Sequence, residues 1–337
     1  MIVTAGWNLA VDDPSRVHEA ETTARAAAVA AGLSRADVAA CELAAVELAT
    51  NLVRYAREGR LLVNAFGPEP GMVQLLAVDR GPGIGDVPAS MTDGFSTGRS
   101  LGGGLGACRR AAACFDLYSV PGQGTVVLVQ IGTSAAGHGV RTGAVVTPHP
   151  AEAALGDGCA VIAGDDVLTL AVVDGLGHGV GAAEARHVAV EAVRHRPWTT
   201  PSELVAEMDA TLRGTRGAAA AVARIEPRRG VVRFAGVGNL TAHLDLGGRA
   251  EALVSRPGVL GMGRRARPYD LDPMPWSAPA SLVVCTDGVS TWDPARHAGA
   301  SGHHPAITAA LIWRDAWRGT DDAAVLVASV TLREGAP

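Results

Sequence analysis

The stretch that decides the fold of this chain is Ala171-Val-Val-Asp-Gly-Leu-Gly-His-Gly179, in which an apolar strand leads into an aspartate and three glycines. A buried strand that ends with a carboxylate in a glycine-rich bend can seat a hard metal ion, because side-chain and backbone oxygens ligate together there. By itself, Asp-Gly after a strand is an ordinary turn signal. Here, however, Asp157 lies one predicted strand upstream, Cys285-Thr-Asp-Gly288 repeats the design, and Asp321-Asp322 opens another apolar strand.

The composition narrows the classes of function. The 337 residues are enough for about two domains, and the 48% hydrophobic content supports large cores. The net charge of −5 argues against a nucleic-acid-binding protein, which would usually present a basic face. All 29 basic residues are arginines, so neither a Walker A loop nor the lysine-dependent ATP site of the familiar protein kinases can be present. Any nucleotide chemistry must therefore use another scaffold.

Cysteine usage and the N-terminus bear on the cellular compartment. The five cysteines, at positions 41, 108, 114, 159 and 285, have no C-x-x-C spacing. A zinc site or a disulfide framework is therefore not expected, and reduced cysteines suit a cytosolic protein. The N-terminus lacks a signal-peptide pattern, and no apolar run is long enough to cross a bilayer. We expect a cytoplasmic protein with no membrane or nucleic-acid partner.

The order of the predicted elements indicates two α/β sandwiches in series. In the first, two amphipathic helices precede strands and a glycine-rich region, and Ser34 with Asp37 predicts the cap of the second helix. Residues 133–139 are mostly small, which indicates a flexible linker. We therefore predict a mixed α/β (α+β) protein with domains at residues 1–132 and 140–333.

Three polar features occur in order in the N-terminal domain. Glu47 and Asn51 stand four residues apart on a predicted helix, so their side chains leave the same face. Val78-Asp-Arg-Gly-Pro-Gly-Ile84 places an aspartate at a strand end beside glycines that permit close backbone approach. Gly102-Gly-Gly-Leu-Gly106 leads directly into a helix, whose free N–H groups and dipole favour an anion. Each feature by itself has an ordinary structural explanation: the first is a solvated polar pair, the second a turn and the third a flexible loop.

In this order and spacing, the three features resemble the GHKL (Bergerat-type) ATP-binding fold, a two-layer α/β sandwich, over about residues 1–131. Within that fold, Asp93-Gly-Phe-Ser-Thr97 resembles the switch serine kinases of RsbT type. The histidine that two-component kinases phosphorylate has no evident counterpart. Two arginines could either neutralise phosphate charge or lie on the surface: Arg54 and Arg99.

The resemblance assigns roles in ATP binding and phosphoryl transfer. It implies that Asn51 holds Mg²⁺ on the phosphates of ATP, and that Glu47 activates the attacking hydroxyl as general base. It also implies that Asp79 accepts a hydrogen bond from the adenine amino group, assisted by Thr125. The other implied ATP-binding residues are Gly81, Gly83, Gly102, Gly104, Leu105 and Gly106.

The C-terminal aspartates suggest a two-metal site, because hard divalent ions prefer carboxylate and water ligands and no thiolate or histidine cluster competes. The set resembles the metal-dependent protein phosphatases (PPM family) of SpoIIE/RsbX type, with an α-β-β-α sandwich, over about residues 140–333. The matching segments are Gly156–Gly158, Val173–Gly179, Gly236–Leu240, Pro257–Gly261, Cys285–Gly288 and Asp321–Val325.

The phosphatase resemblance assigns the metal ligands. It implies that Asp174 bridges two Mn²⁺ or Mg²⁺ ions and that the Gly175 carbonyl binds one of them. Asp287 and Asp321 would ligate one ion, with Asp157 on the other ion or on its water. A water between two such ions ~4 Å apart becomes a hydroxide nucleophile near neutral pH.

The sequence does not fix the roles of two residues near these ligands, Asp322 and His178. Asp322 stands where many relatives of this type have asparagine, so the resemblance does not assign it a role. His178 either protonates the leaving serine oxygen or only positions the loop.

Both resemblances together imply a bifunctional partner-switching regulator. Its N-terminal domain would phosphorylate a serine on a STAS-domain anti-sigma antagonist, and its C-terminal domain would remove that phosphate. The alternative is an ATP-binding module that sequesters the antagonist or a sigma factor with little kinase turnover. The intact Glu47 favours catalysis, but the same ATP site would serve either purpose.

Overall fold

The structure is a computed structural model, and it describes residues 1–67, 71–90, 104–133, 139–263, 270–290 and 292–330. The chain divides into two compact units, Thr4–Ser134 and Met1–Val3 together with Ala135–Pro337. The predicted domain bounds stay a prediction, since most of the predicted linker lies outside the described residues. The predicted Asp93–Thr97 motif, Arg99 and Gly102 also lie outside the described residues. No helix in the described ranges is both long and apolar enough to span a membrane.

The N-terminal unit packs helices on one sheet. Its elements are β1 (Ile2–Ala10), α1 (Arg16–Ala30), α2 (Arg35–Tyr55), β2 (Arg60–Gly67), β3 (Met72–Val78), α3 (Val87–Ser90), α4 (Gly104–Ala111), β4 (Cys114–Val120) and β5 (Gly124–Gly132). The strand order is β1-β2-β3-β5-β4, and β2, β3, β5 and β4 pair in antiparallel fashion. Helices α1 and α2 pack on each other and on β2 and β3. This is the predicted two-layer sandwich.

Small residues explain how the two long helices pack so closely. The buried face of α1 consists of alanines at helical spacing, Ala20, Ala24, Ala27 and Ala28, and small side chains let helix axes approach. Helix α2 begins where the sequence predicts, because Ser34 Oγ accepts the backbone N–H of Asp37 at 3.2 Å.

The C-terminal unit contains, within its described residues, two sheets and three α-helices. Its elements are β6 (Val140–Thr147), β7 (Asp157–Ala163), β8 (Leu168–Gly175), α5 (Val180–His195), α6 (Pro201–Thr211), β9 (Ala218–Glu226), β10 (Val231–Val237), β11 (Thr241–Leu246), β12 (Ala250–Leu253), β13 (Met274–Pro275), β14 (Ala280–Cys285), α7 (Pro305–Ala316) and β15 (Ala323–Val330). Two short 3₁₀ helices lie at Pro227–Arg229 and Pro294–Ala300.

The layers of this unit follow from which strands touch which helices. One sheet has the order β13-β10-β9-β8-β7 and the other β12-β11-β14-β15-β6. Helices α5 and α6 pack on the first sheet, α7 packs on the second, and β6 and β15 contact β7. The unit is therefore an α-β-β-α sandwich, which confirms the predicted fold class. The near-continuous apolar strands β8, β9 and β15 fit this burial between layers.

Candidate active site

The carboxylates of the C-terminal unit meet where strands of both sheets begin or end. Asp157, the first residue of β7, is the direct cross-strand partner of Asp174 near the end of β8. Like charges placed directly opposite each other on a sheet are destabilising. Asp157 is only 3% exposed, and burial followed by the charge of Asp174 raises its pKa well above the ordinary value. An unneutralised pair of this kind calls for a cation.

Two further carboxylates come from the second sheet. Asp287 lies in the turn after β14, and Asp321 lies just before β15, the strand that pairs with β14. Burial, and next the charge of Asp321, raises the pKa of Asp287, whose Oδ2 accepts a 2.6 Å hydrogen bond from Asn239 Nδ2. Burial, followed by the charges of Asp287 and Asp321, raises the pKa of Asp174 to about 7. The predicted ligands therefore act on one another electrostatically.

A cleft of about 440 Å³ shows how the carboxylates are presented. Its acidic lining is Asp174, Asp287 and Asp321, and its other walls include Asn239, Ser255, Leu176 and Val259. Asp157 is buried and does not line the cleft. The structure thus brings three predicted ligands to one cavity, with the fourth paired to Asp174 inside the sheet.

The donor set fits hard divalent cations by charge and chemistry. The Oδ2 atom of Asp157 is buried without a hydrogen-bond partner, and an orphaned carboxylate oxygen in a cluster of like charges is costly. Among the described residues, no three His, Cys, Asp or Glu side chains are grouped tightly enough to hold a metal ion. Three of the carboxylates line one cleft without closing to ligand spacing.

Glycines allow the backbone to pack tightly around the acidic cluster. A Cβ on Gly288 would lie 1.8 Å from the carbonyl oxygen of Asp322, and one on Gly175 would lie 2.3 Å from that of Ala182. Both distances are far inside van der Waals contact, so only glycine fits. The Gly175 N–H donates to the Gly156 carbonyl at 3.1 Å, which fixes the chain next to Asp174. The glycines of the Asp-Gly segments are therefore a steric requirement of the site.

His178 lies on the loop that follows Asp174, with 52% of its side chain exposed. Its Nδ1 is 3.1 Å from Glu152 Oε1, and its ring stacks on His149 with centroids 4.4 Å apart. Arg216 Nη1 donates to the His178 carbonyl at 3.3 Å. The ring does not line the cleft. Glu152 and Arg216 therefore hold His178 on the loop that follows Asp174, and its catalytic role stays a prediction.

Several residues around the site are not predicted by the sequence motifs. Asn239 and Thr286 bond to predicted ligands, and both stand inside segments that the motifs already cover, so an inspection of each position could have found them. Glu152 and Arg216 contact the His178 loop from stretches with no motif. Only the folded chain reveals these two.

The N-terminal unit brings Asp79 and Thr125 together. The Asp79 N–H donates to the Thr125 carbonyl at 3.0 Å, and Asp79 Oδ1 accepts from the Gly81 N–H at 2.6 Å. Thr125 Oγ1 lies 2.9 Å from Ser119 Oγ, which in turn accepts from the N–H of Ile84. The strand end that carries Asp79 is thus linked to β4 and β5, which places the two predicted adenine-binding residues side by side.

Two glycines permit this close approach. Gly83 has φ +71°, and a Cβ there would lie 2.4 Å from the Val120 carbonyl oxygen. A Cβ on Gly81 would lie 2.9 Å from both Asp79 Oδ1 and the Tyr55 carbonyl oxygen. These positions need glycine for steric reasons, and Gly83 needs it for its backbone conformation as well.

The other predicted ATP-binding residues lie on two packed helices. Glu47 and Asn51 are half-buried on α2, which packs against α4. Helix α4 begins with Gly104, Leu105 and Gly106. Burial, followed by the charge of Glu47, raises the pKa of the Cys108 thiol on α4 to about 12. The predicted general base therefore faces the helix that begins with the second glycine segment.

Comparisons with known proteins agree with both halves. Residues 164–331 match the family model "Stage II sporulation protein E (SpoIIE)", and residues 10–131 match the model "Histidine kinase-like ATPase domain". The chain is 37% identical over 97 residues to the serine/threonine-protein kinase RsbT of Bacillus subtilis (strain 168), covering 28% of this chain and 73% of that protein.

Solved structures resemble the chain over more than half its length. A structure reported as "The bacterial stressosome: a modular system that has been adapted to control secondary messenger signaling" is 28% identical, with a TM-score of 0.54, covering 57% of this chain and 100% of that one. A structure of RsbX in complex with magnesium is 18% identical, with a TM-score of 0.53, covering 59% of this chain and 98% of that one. The second likeness bears on the fold alone.

Proposed function

The chain belongs to the RsbT family by its N-terminal unit and joins this unit to a SpoIIE-type PPM serine phosphatase domain, and on that premise we propose a bifunctional partner-switching regulator. The N-terminal unit phosphorylates a serine on a STAS-domain anti-sigma antagonist, and the C-terminal unit removes that phosphate. The observation that carries the proposal is the presence, in one chain, of an ATPase fold with Glu47 and Asn51 and a buried carboxylate cluster.

In the kinase half, residues of two packed helices and of one strand end bind ATP and transfer the proton. Asp79, next to Thr125, accepts from the adenine amino group. Asn51 would hold Mg²⁺ on the phosphates of ATP, and the predicted glycine segment, of which Gly104, Leu105 and Gly106 begin α4, would bind those phosphates. Glu47, one helical turn from Asn51, takes the proton of the attacking serine hydroxyl.

In the phosphatase half, the carboxylates of both sheets hold two divalent cations, Mn²⁺ or Mg²⁺. Asp174 and the Gly175 carbonyl lie at the end of β8, with Asp287 and Asp321 across the cleft and Asp157 paired to Asp174. When bound, the ions supply a hydroxide nucleophile at neutral pH and neutralise phosphoryl charge. The chain itself orients Asp287 through Asn239 and keeps His178 at the cleft margin through Glu152.

The test is a phosphate-transfer assay on the full chain with ATP, Mg²⁺ and candidate STAS proteins, with and without Asp174→Ala. We expect the Asp174→Ala chain to accumulate phosphoserine on the partner, whereas wild type keeps its level low. Asp272→Ala, which changes an exposed carboxylate in the same unit, is the matched control and should behave as wild type. Failure of every chain to move phosphate in either direction would refute the proposal.

A sequestering module with little turnover is the second candidate, because the same ATP site would serve it. Glu47→Ala separates the two functions. If this variant still binds ATP, captures the partner and regulates as wild type does, sequestration is correct. If it binds ATP and partner but no longer phosphorylates, the kinase function is correct.

A further inference from the structure

Asp322 behaves differently from its neighbour Asp321. Asp321 lines the acidic cleft, whereas Asp322 is 2% exposed and does not. Its Oδ1 accepts backbone N–H groups from His149 at 3.1 Å and from Gly156 at 3.0 Å. These two bonds tie the carboxylate to the segment that leads into β7. The protein itself thus fixes Asp322 in place, away from the cavity that the other carboxylates share.

Arg186 on α5 comes close to the same place from the other side. A Cβ on Gly156 would lie 2.5 Å from Asp322 Oδ2 and 3.0 Å from Ala182 Cβ, and one on Gly158 would lie 2.8 Å from Arg186 Cγ. Ala182 and Arg186 are four residues apart on α5, so about one helical turn, or ~5 Å, separates Arg186 from the carboxylate along the helix. The charge of Asp322 acts on Arg186 at this range, and the described residues show no direct ion pair between the two.

Arg186 is itself held inside the unit. Its Nη1 donates to the Val3 carbonyl at 3.2 Å, and its Nε is buried without a hydrogen-bond partner. Burial lowers the pKa of the guanidinium, while the charges of Asp322 and then Asp157 oppose that effect. Arg318, which acts on Asp287, is exposed, so solvent screens its charge more strongly. Arg186 is thus the partly buried cation behind the carboxylates.

The carboxylates of the cluster outnumber the positive charges that two divalent ions supply. When all five are ionised, as cation binding requires of the ligands, the carboxylates of this cluster carry five negative charges, and two divalent ions supply only four positive ones. The five are Asp157, Asp174, Asp287, Asp321 and Asp322. We propose that Asp322 is a structural anion rather than a metal ligand, and that Arg186 is the positioning residue that supplies its counter-charge. The pair leaves the four remaining carboxylates matched to two divalent ions. This inference rests on the proposed phosphatase site.

A double-mutant cycle on the full chain tests the proposal, with Arg186→Met, Asp322→Asn and the double variant. Two readouts are used: the unfolding midpoint in EDTA, by calorimetry, and the stoichiometry of Mn²⁺ binding to metal-free protein, by titration calorimetry. Arg186→Lys keeps the charge, and Arg194→Met, on the exposed part of the same helix, is the matched control.

We expect Arg186→Met to lower the metal-free midpoint by about 5–10 °C, because it leaves a buried carboxylate without its counter-charge. In the Asp322→Asn background the same change should cost less than half as much, and Arg186→Lys and Arg194→Met should cost little. Asp322→Asn should still bind two Mn²⁺ ions.

Two results would overturn the proposal. One is an equal effect of Arg186→Met with and without Asp322, and the other is the loss of one bound ion in Asp322→Asn. If wild type binds no divalent ion at all, the phosphatase site fails instead, and the metal-free midpoints still decide whether Arg186 and Asp322 are coupled. If Arg186→Met does not fold, its rescue by Asp322→Asn provides the same decision.

Discussion

Replacing Asp174 with asparagine should stabilise the metal-free protein at pH 8 while abolishing phosphatase activity. The Asp174 carboxylate is the direct partner of Asp157 on the neighbouring strand, and the charges of Asp287 and Asp321 repel it. Its charged form is therefore unfavourable without cations. Asparagine keeps the shape and removes the charge. Asp174 therefore lowers the stability of the metal-free fold. A destabilising residue of this kind is typical of a functional site, where activity is gained at the expense of stability.

The magnitude follows from the pKa of Asp174, which the fold raises from 3.8 to about 7. Each unit corresponds to about 1.4 kcal/mol, so the charged form costs the fold at most about 4 kcal/mol. Asp174 keeps some exposure to water, so we expect about 2 kcal/mol, or ~4–8 °C in the unfolding midpoint. Since the folded pKa is the higher one, this cost is complete above pH 7 and disappears as pH falls towards 4.

The assay is calorimetric unfolding of the full chain in EDTA at pH 8 and pH 5. The midpoint gain of Asp174→Asn over wild type should be large at pH 8 and smaller at pH 5, and Asp272→Asn, an exposed control, should show neither. Added Mn²⁺ should raise the midpoint of wild type and leave that of Asp174→Asn unchanged. Equal midpoints for wild type and Asp174→Asn at pH 8 would refute the reasoning.

Three further changes probe the surroundings of the cleft. Arg216→Ala should raise KM for a phosphoprotein about tenfold at nearly constant kcat, because its guanidinium holds the loop that follows Asp174 through the His178 carbonyl. Arg213→Ala, three residues away and exposed, should leave KM unchanged. A change confined to kcat would contradict this role of Arg216. Gly288→Ala should abolish the folded phosphatase unit in a calorimetric scan, since its Cβ would overlap a backbone oxygen, whereas Gly302→Ala, in open space, should be neutral. Asn239→Ala should weaken Mn²⁺ binding about tenfold in a titration, through loss of its 2.6 Å bond to a ligand carboxylate, and unchanged affinity would show that this bond does not orient the ligand.

Much of the fold follows from periodicity in the sequence. The strand Met72–Val78 and the helix Val180–His195 have the bounds that their apolar patterns predict, because each is flanked by clear stop signals such as Gly71 and Gly179. The strand Met274–Pro275 is not predictable in this way, because two residues carry no period. The cap at Ser34 is predictable because capping chemistry is local.

The site is predictable only as far as its residues stand in motifs. Asp157 and Asp174 each follow or open an apolar strand, so their residue types and positions alone signal a carboxylate cluster. That the two are direct cross-strand partners depends on sheet register, which no local pattern specifies. Arg186 comes close to the cluster from an outer helix, and Glu152 contacts the His178 loop from irregular chain, both through packing alone.

The central claim is that one chain adds phosphate to a partner and removes it again. Such a chain hydrolyses ATP in a cycle that needs its partner, so the most direct measurement is partner-dependent release of inorganic phosphate from ATP by the full protein with Mg²⁺ and Mn²⁺. We expect steady release that requires the STAS protein and is abolished by either Glu47→Ala or Asp174→Ala. Release that persists in the Asp174→Ala chain, or that never depends on the partner, would contradict it.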